Sequence, residues 1–325
     1  ANFAFGSRKI ADIEARRFVI PPEDILLLNP NTGTAPLFRS RRDAQITLSI
    51  YRKVPILQRE RPATNPWAVS FMAMFHSSGD LGEFRAPSSL ELEGWGRQGE
   101  LYVRGESVML PLYEGKMIGI FDHRAADIVI NPKALVRPGQ SSPLSVADHI
   151  DPNRCAVPRF WVSQGEVVAR LPEFWRKNWI PVWRDVTAAS NERTLIPAIL
   201  PTVGCIDTIL LFFPAVHQEL AHLLVANLST FVVDFVVRQK IGGVHIKYHH
   251  MRQIPVIPPE WYELPCPWSR GLRYVDFLHP RVLELVYTSR NIKGFAEDFG
   301  DEGGPFVWDE ERRLVMRAEL DAAYF

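Results

Sequence analysis

The stretch "AVHQELAHLLVANLSTFVVDFVVRQK", residues 215–240, carries the clearest helical pattern of the chain and is the starting point for its fold. Apolar residues recur along it at the spacing that places them on one face of a helix: Leu220, Leu223, Leu224, Leu228, Phe231, Val232, Phe235 and Val236. The "IGG" that follows is a glycine stop signal. The pattern predicts one helix of about six turns.

On both sides of this helix the sequence alternates between strand-like and helical patterns. "DTILLFFP", residues 207–214, predicts a strand, and "VHIKYHHMRQIPVIPP", residues 244–259, predicts another that ends in a proline-rich break. A second helix is predicted around "HPRVLELVYTSRN", residues 279–291. The pattern of residues 39–54 fits either a helix or a strand, and we favour a helix. Residues 155–190 are rich in aromatic residues, and their pattern predicts strands on both sides of a short helix. The sequence therefore predicts a mixed α+β fold with a β-rich core, a long helix near 215–240 and a helical C-terminal segment.

Composition is typical of a globular protein. Of 325 residues, 46% are hydrophobic and 23% charged. No window approaches the run of about 18 uncharged apolar residues that a membrane span needs, and no signal pattern opens the chain, so we expect a cytoplasmic protein without membrane contact. The three cysteines, Cys155, Cys205 and Cys266, lie far apart and predict free thiols. Neither end of the sequence has the pattern of a natural terminus, so we expect the chain to be a fragment of a longer protein.

Charge is balanced overall but unevenly distributed. The 37 basic and 37 acidic residues cancel, which argues against a uniformly cationic coat for nucleic acid. Residues 238–252, however, contain four cations and three histidines without an acid: Arg238, Lys240, His245, Lys247, His249, His250 and Arg252. Residues 291–325 are acidic, so an anionic partner is expected to avoid them.

Several motifs that suggest catalysis have plainer interpretations. "GWGRQG", residues 94–99, matches a nucleotide-binding glycine pattern, but the strand-like "ELYVRGESVMLPLY" follows it where a helix is required. A glycine-rich β-turn is favoured. "NPW", residues 65–67, lacks the second proline of the adenine-gripping loop of N6-adenine methyltransferases. His245, His249 and His250 have no acidic partner nearby to complete a metal site. No catalytic residue and no metal ligand is predicted.

The polar cluster Asn191, Glu192, Arg193 and Thr194 lies in "RDVTAASNERTLIPAILP", residues 184–201, between two predicted strands. Asn side chains in such loops bond to the nearby backbone, and Arg193 beside Glu192 can fix the loop internally. A structural turn is favoured over a ligand site by residue chemistry alone.

Five stretches, in their order and spacing, resemble the C-terminal half of large bacterial DNA N6-adenine methyltransferases of type IIG restriction-modification enzymes and of the BREX and DISARM phage-defence systems. They are "FRSRRDAQITLSIYRKVPIL" (38–57), "PLYEGKMIGIFDHR" (111–124), "WRDVTAASNERTLIPAILP" (183–201), "LLVANLSTFVVDFVVRQKIGGVHIKYHHMRQIPVIPP" (223–259) and "RAELDAAYF" (317–325). The resemblance covers nearly the whole chain. The stretch from the long helix to "IPVIPP" is also similar, more loosely, to the recognition domains of type I specificity subunits.

The resemblance implies a target recognition domain whose catalytic methyltransferase domain, with its S-adenosylmethionine, lies upstream. It divides the chain into a connector (1–109), the recognition domain (110–265) and a truncated helical segment (266–325). This fragment would not itself be an enzyme, and its partners would be double-stranded DNA and its own methyltransferase domain. It needs no cofactor of its own.

The resemblance also assigns candidate DNA-binding residues. The basic residues Arg238, Lys240, His245, Lys247 and Arg252 are expected to approach DNA, with a solvated rim as the alternative. Further positions are typical of the family and are expected to shape the scaffold or touch the DNA backbone: Lys116, His123, Arg124, Asn191 and Arg193. The residues that select bases are expected in less typical loops, such as 131–151 or 160–178.

Two other functions stay open at this point. A protein-interaction module of a defence complex would use the acidic tail or aromatic patches, and the neutral net charge supports it. A metal-dependent nuclease would need a site around His249 that the sequence does not complete.

Overall fold

The structure, a computed structural model, describes residues 1–134 and 139–325. Helices account for 36% of the residues and strands for 22%, which confirms the predicted mixed α+β fold. The α-helices of the described residues are α1 (Ile10–Arg16), α2 (Pro22–Leu28), α3 (Arg41–Lys53), α4 (Pro87–Leu92), α5 (Val146–Ile150), α6 (Gln164–Arg170), α7 (Ala221–Leu228), α8 (Phe231–Arg238), α9 (Tyr248–Met251), α10 (Tyr274–Val286), α11 (Lys293–Glu297) and α12 (Glu310–Tyr324). The strands are β1 (Asn2–Phe3), β2 (Phe18–Val19), β3 (Arg59–Glu60), β4 (Ala63–Thr64), β5 (Val69–Met72), β6 (Gly96–Gln98), β7 (Leu101–Arg104), β8 (Ser107–Tyr113), β9 (Ala126–Ile130), β10 (Gly139–Pro143), β11 (Phe160–Ser163), β12 (Trp179–Arg184), β13 (Pro197–Pro201), β14 (Gly204–Cys205) and β15 (Ile209–Pro214).

Two sheets form the centre of the fold. One has the strand order β13-β12-β15-β5 and is antiparallel throughout. The other has the order β11-β8-β7-β6, and β14 pairs with β8 in parallel. Every residue of β13 and β15 is buried, because "PAILP" and "ILLFFP" are apolar at each position and both faces of the sheet are covered. Outside these sheets, β9 and β10 pair as a two-stranded ribbon.

The predicted long helix at 215–240 is wrong. The structure contains two shorter helices, α7 and α8, whose axes differ by 64°. Thr230 is extended and caps α8, since its hydroxyl accepts a hydrogen bond from Val233 N. The hydroxyl of Ser229 donates to Val225 O at the end of α7. This Ser-Thr pair therefore ends one helix and begins the next within an uninterrupted apolar spacing.

Among the described helices, none is by itself long and apolar enough to cross a membrane. The segment that contains α7 and α8 passes that test only as a bent pair, and all eight residues of α7 are buried inside the protein.

The helical predictions for the two ends are confirmed, and the strand predicted at 244–259 is wrong. Residues 39–54 contain α3, and the C-terminal segment holds α10, α11 and α12. Residues 244–259 form only isolated β-bridges, His245 with Val186 and Pro255 with Ile56, around the short helix α9. The alternation of this stretch arises from packing against two different neighbours and not from a sheet.

The largest hydrophobic cluster draws residues from all three predicted segments, from Leu57 to Leu320. A second cluster packs α2 and α3 against Val236 of α8. The boundaries after residues 109 and 265 stay predictions.

Lys240 fastens the N-terminal helices to the end of α8. Its ammonium donates to Leu28 O at 2.7 Å and to the side chain of Asn29, and it lies 4.9 Å from the centroid of the Tyr51 ring. Burial lowers the pKa of Lys240 to about 7. The unfolded chain, with an ordinary lysine pKa of about 10.4, keeps the proton of this lysine between about pH 7 and about pH 10, where the folded chain has lost it.

Because the unfolded state binds more protons than the folded state between about pH 7 and about pH 10, we expect Lys240 to make the free energy of unfolding rise with pH in this range. We expect the melting temperature of the wild type to increase from about pH 7 to about pH 9 relative to that of Lys240→Met, whose side chain does not titrate. Thermal unfolding of both proteins over this range measures the difference. Parallel curves for the two proteins would contradict the assignment.

Candidate nucleic-acid interface

An open cleft of about 750 Å³ lies where the end of β12 meets the 3₁₀ turn Gly115–Met117 and the strand β10. Three cations line it, Lys116, Arg159 and Arg184, and Glu114 is the one acid among its described lining residues. The rest of the wall is made of neutral polar residues and apolar residues, the polar ones being Ser77, Gln140, Ser141 and Thr208 and the apolar ones Leu81, Phe84, Leu112, Phe160, Val186 and Ile206. The cleft therefore combines positive charge with hydrogen-bonding groups.

Arg184 and Arg159 have no carboxylate partner among the described residues. Arg184 is half-buried at the end of β12, its Nε has no hydrogen-bond partner, and burial lowers its pKa with no nearby charge to oppose the effect. Arg159 is half-buried too, with its guanidinium 4.5 Å from the centroid of the Phe160 ring. A half-buried cation without a counter-charge is costly, and a bound anion would relieve that cost.

Lys116 connects two elements of the cleft wall and also contributes a positive charge to it. Its ammonium lies 3.0 Å from Glu114 Oε2 and donates to Gly139 O at 2.6 Å, which ties β10 to the turn. The turn itself packs tightly, since a Cβ on Gly115 would come within 2.6 Å of Thr208 O. Gly115 N also donates to the Thr208 hydroxyl. Lys116 is thus the one predicted DNA-binding residue that lines the cleft.

His245 and Lys247 stand beside the cleft. Both pair with the buried carboxylate of Asp185, at 2.7 Å and 2.8 Å, and both side chains are about half exposed, 49% and 46%. Asp185 directly follows Arg184, and Val186, which lines the cleft, forms a β-bridge with His245. The end of β12 therefore brings together a pair of sequence-predicted residues and an arginine that the sequence did not single out.

Arg238 and Lys240 both bond to other parts of the chain, and their DNA roles stay predictions. Arg238 donates to Asp234 at 2.8 Å and to Ala189 O at 3.0 Å, and it also bonds to Glu192 O. Lys240 points inward to α2, as described above. Arg252 pairs with Glu60 at 3.1 Å on the N-terminal side, outside the cleft, and its DNA role stays a prediction.

Arg124 is fully buried. Its guanidinium donates to backbone carbonyls of Asp148, Asp151, Arg154, His149 and Thr288. Of the two roles predicted for it, shaping the scaffold is the one that the contacts support. His123, its neighbour, is buried as well, and burial lowers its pKa to about 4.

The cluster of Asn191 to Thr194 forms a turn that the rest of the chain fixes. Thr194 N and Leu195 N both donate to Asp234 Oδ1, at 2.6 Å and 2.9 Å. Arg193 lies over the Phe231 ring and donates to Ser229 O, so its guanidinium contacts both residues at the break between α7 and α8. Asn191 is exposed, and its contact with DNA stays a prediction. The favoured interpretation of a structural turn agrees with these bonds.

Two arrangements that resemble catalytic sites have structural explanations. His123 Nε2 lies 2.7 Å from Ser289 Oγ, as in a nucleophilic pair, but Ser289 is 0% exposed, so a substrate has no access to it. The centre of "GWGRQG" is β6, which pairs antiparallel with β7 across a turn at Gly99 and Glu100, so a hairpin follows the glycines and not the helix that a nucleotide site requires. Within residues 1–134 and 139–325, no three His, Cys, Asp or Glu side chains are grouped so that they could hold a metal ion.

Sequence reasoning missed Arg159 and Arg184. The available signal was that each adjoins a strand, Arg159 immediately before β11 and Arg184 at the end of β12, where a charged side chain reaches the edge of a sheet. The predicted base-selecting loop 160–178 contributes Phe160 to the cleft, and loop 131–151 contributes β10; its residues 135–138 lie outside the described residues.

No protein-family model matches the chain, and no curated protein matches it. The family resemblance based on the five stretches therefore stays a prediction.

Proposed function

We propose that the chain is a sequence-specific module for duplex DNA recognition, and that the cleft at the end of β12 binds the phosphate backbone. The observation that carries the proposal is that Arg159 and Arg184 line one open cleft without a carboxylate partner in the described part of the chain. Phosphate oxygens are the usual partners of such guanidinium groups.

A polymer of phosphates fits this surface better than a small anion. The cations come from three separate places, the turn with Lys116, the start of β11 and the end of β12, and Lys247, which pairs with Asp185, lies beside the cleft. Positive charge spread along a strip matches the spaced charges of a nucleic-acid backbone. Neutral polar residues line the same cleft and could bond to base edges.

The resemblance to recognition domains of adenine-N6 DNA methyltransferases gives this module its context. In that context the methyl transfer and the S-adenosylmethionine belong to a separate catalytic domain of a restriction-modification or phage-defence protein, and the fragment itself is not an enzyme. The role left for the chain is to choose the DNA site.

Titration of the purified chain against a fluorescent pool of random duplexes, at low and moderate salt, tests the proposal. We expect binding that weakens as salt increases, with a log–log slope of about −3 from three phosphate contacts. Sequencing of the bound fraction is expected to recover a short motif that contains adenine. An absence of binding even at low salt would overturn the proposal.

The protein-interaction alternative has one observation in its favour. Four large apolar side chains between residues 261 and 272 are 37% to 49% exposed: Trp261, Leu264, Trp268 and Leu272. Their loop is closed by a bridge between Pro265 and Arg273. A chain that fails to bind DNA at low salt would make this surface, and a partner protein, the better candidate.

A further inference from the structure

The cleft has an aromatic side as well as a charged one. The side chains of Phe84 and Phe160 both line it, and their ring centroids are 6.0 Å apart. Both residues are half-buried, and Leu81, which lines the same cleft, is 59% exposed. Phosphate oxygens bind to guanidinium and ammonium groups and do not need accessible rings. The aromatic side therefore indicates that the ligand has a second, flat and apolar part.

Backbone hydrogen bonds fix the two rings relative to each other. Arg85 N donates to Trp161 O at 2.8 Å, and Trp161 N donates to Arg85 O at 2.9 Å. The segment that carries Phe84 is thereby paired with β11, which carries Phe160. Phe84 also packs edge-to-face against the fully buried ring of Phe75. The rings are therefore held in position before a ligand binds.

The cations lie next to these rings. The guanidinium of Arg159 is 4.5 Å from the centroid of the Phe160 ring. A Cβ on Gly139 would lie 3.7 Å from Arg159 Cδ and 3.6 Å from Lys116 Nζ, so these two cations flank one backbone position. The cleft volume of about 750 Å³ is within the range of about 300 to 1,000 Å³ that is typical of pockets for small organic groups. A single nucleotide, which joins a phosphate to a flat base, matches both sides of the cleft.

The base of such a nucleotide has to be unpaired. Inside a duplex the neighbouring base pairs cover both faces of a base, so an aromatic side chain cannot stack on it. Unpaired bases stack on aromatic side chains beside a positively charged groove when proteins bind single-stranded nucleic acid, and every base has a face that allows this. The energy needed to bring a base out of the stack is smallest where the base is already unpaired.

We propose that the cleft binds one unpaired nucleotide of the DNA, with its base stacked on Phe84 and Phe160 and its phosphate at the cations beside them. This inference rests on the proposed function, because it names the form of DNA that the same site prefers. It assigns affinity for phosphates to the cations and preference for an unpaired base to the rings.

The test compares the affinities of the purified chain for a fully paired duplex and for the same duplex with one bulged adenosine. We expect the wild type to bind the bulged duplex about 5-fold to 150-fold more tightly, which is the range for stacking of one base on an aromatic side chain. The salt slopes for the two probes should agree, because the phosphate contacts are the same.

Ring variants show whether the aromatic side causes this preference. Replacing Phe84 and Phe160 together by leucine keeps apolar side chains but removes both rings, and should abolish most of the preference for the bulge. Replacing both by tyrosine keeps the rings and should retain it. The control Phe5→Leu removes a ring that is 51% exposed outside the cleft, and it should bind both probes as the wild type does.

The outcomes separate this inference from the proposed function. If the wild type binds both probes equally, or if the preference for the bulge survives in the double leucine variant, the inference is overturned while DNA binding stands. If neither probe binds at low salt, the proposed function and this inference both fail. Urea unfolding of each variant controls for folding.

Discussion

Replacing Arg159 and Arg184 together by alanine is expected to weaken binding to random duplex DNA by roughly 60-fold at about 0.1 M salt. Each phosphate contact contributes about 0.9 to the slope of log affinity against log salt, so each lost contact costs roughly 8-fold at that salt concentration. The slope itself should become shallower by about 2. Fluorescence-anisotropy titrations at four or more salt concentrations measure both quantities.

Two control variants distinguish the effect of losing an arginine from the cleft from the effect of losing a positive charge anywhere on the protein. Arg42→Ala removes an exposed arginine of α3, outside the cleft lining, and should leave the affinity nearly unchanged. Replacing both cleft arginines by lysine keeps the charge and should recover most of the binding, although lysine lacks the bidentate geometry of arginine. Equal affinities for the wild type and the double alanine variant would show that DNA, if bound, does not use this cleft.

The sequence predicted correctly those helices that are determined by their own apolar spacing and capping residues. The helix at 39–54 formed as α3 because its apolar residues share one face and Ser40 caps it, with its hydroxyl accepting from Asp43 N. The break between α7 and α8 escaped prediction because the apolar spacing runs through it. Part of what stabilises the break comes from far along the chain, since Asp321 of α12 accepts a hydrogen bond from Phe231 N.

The candidate site was predicted only in part for a similar reason. Residues 238–252 contain no acid, and that local absence suggested free cations facing a partner. The partners of Arg238, Lys240 and Arg252 lie outside this window, in Asp234, Asn29 and Glu60. Arg184 is next to an acid in the sequence, Asp185, but that carboxylate pairs with His245 and Lys247, and Arg184 has no carboxylate partner among the described residues. The distance in sequence between a cation and the nearest acid therefore did not predict which cations form ion pairs in the structure.

Replacing Arg124 by alanine is expected to lower the free energy of unfolding by about 4 kcal/mol or more. The guanidinium is the shared donor for carbonyls of α5, of the loop after it and of Thr288, and four of these bonds are 2.7 Å to 2.8 Å long. Removing it leaves five carbonyls without this donor, those of His149 and Thr288 in buried bonds, and opens a cavity among them. Urea unfolding of the wild type and the variant measures the loss.

Arg124→Lys keeps the charge but cannot span five acceptors, so we expect an intermediate loss of about 2 kcal/mol and a protein that still folds. Its DNA-binding salt slope should match that of the wild type, because a scaffold residue makes no phosphate contact. A shallower slope with unchanged stability would instead mean that Arg124 reaches DNA and that the carbonyl contacts are dispensable. The exposed Arg42→Ala, with an expected change within about 0.5 kcal/mol, calibrates the unfolding measurement.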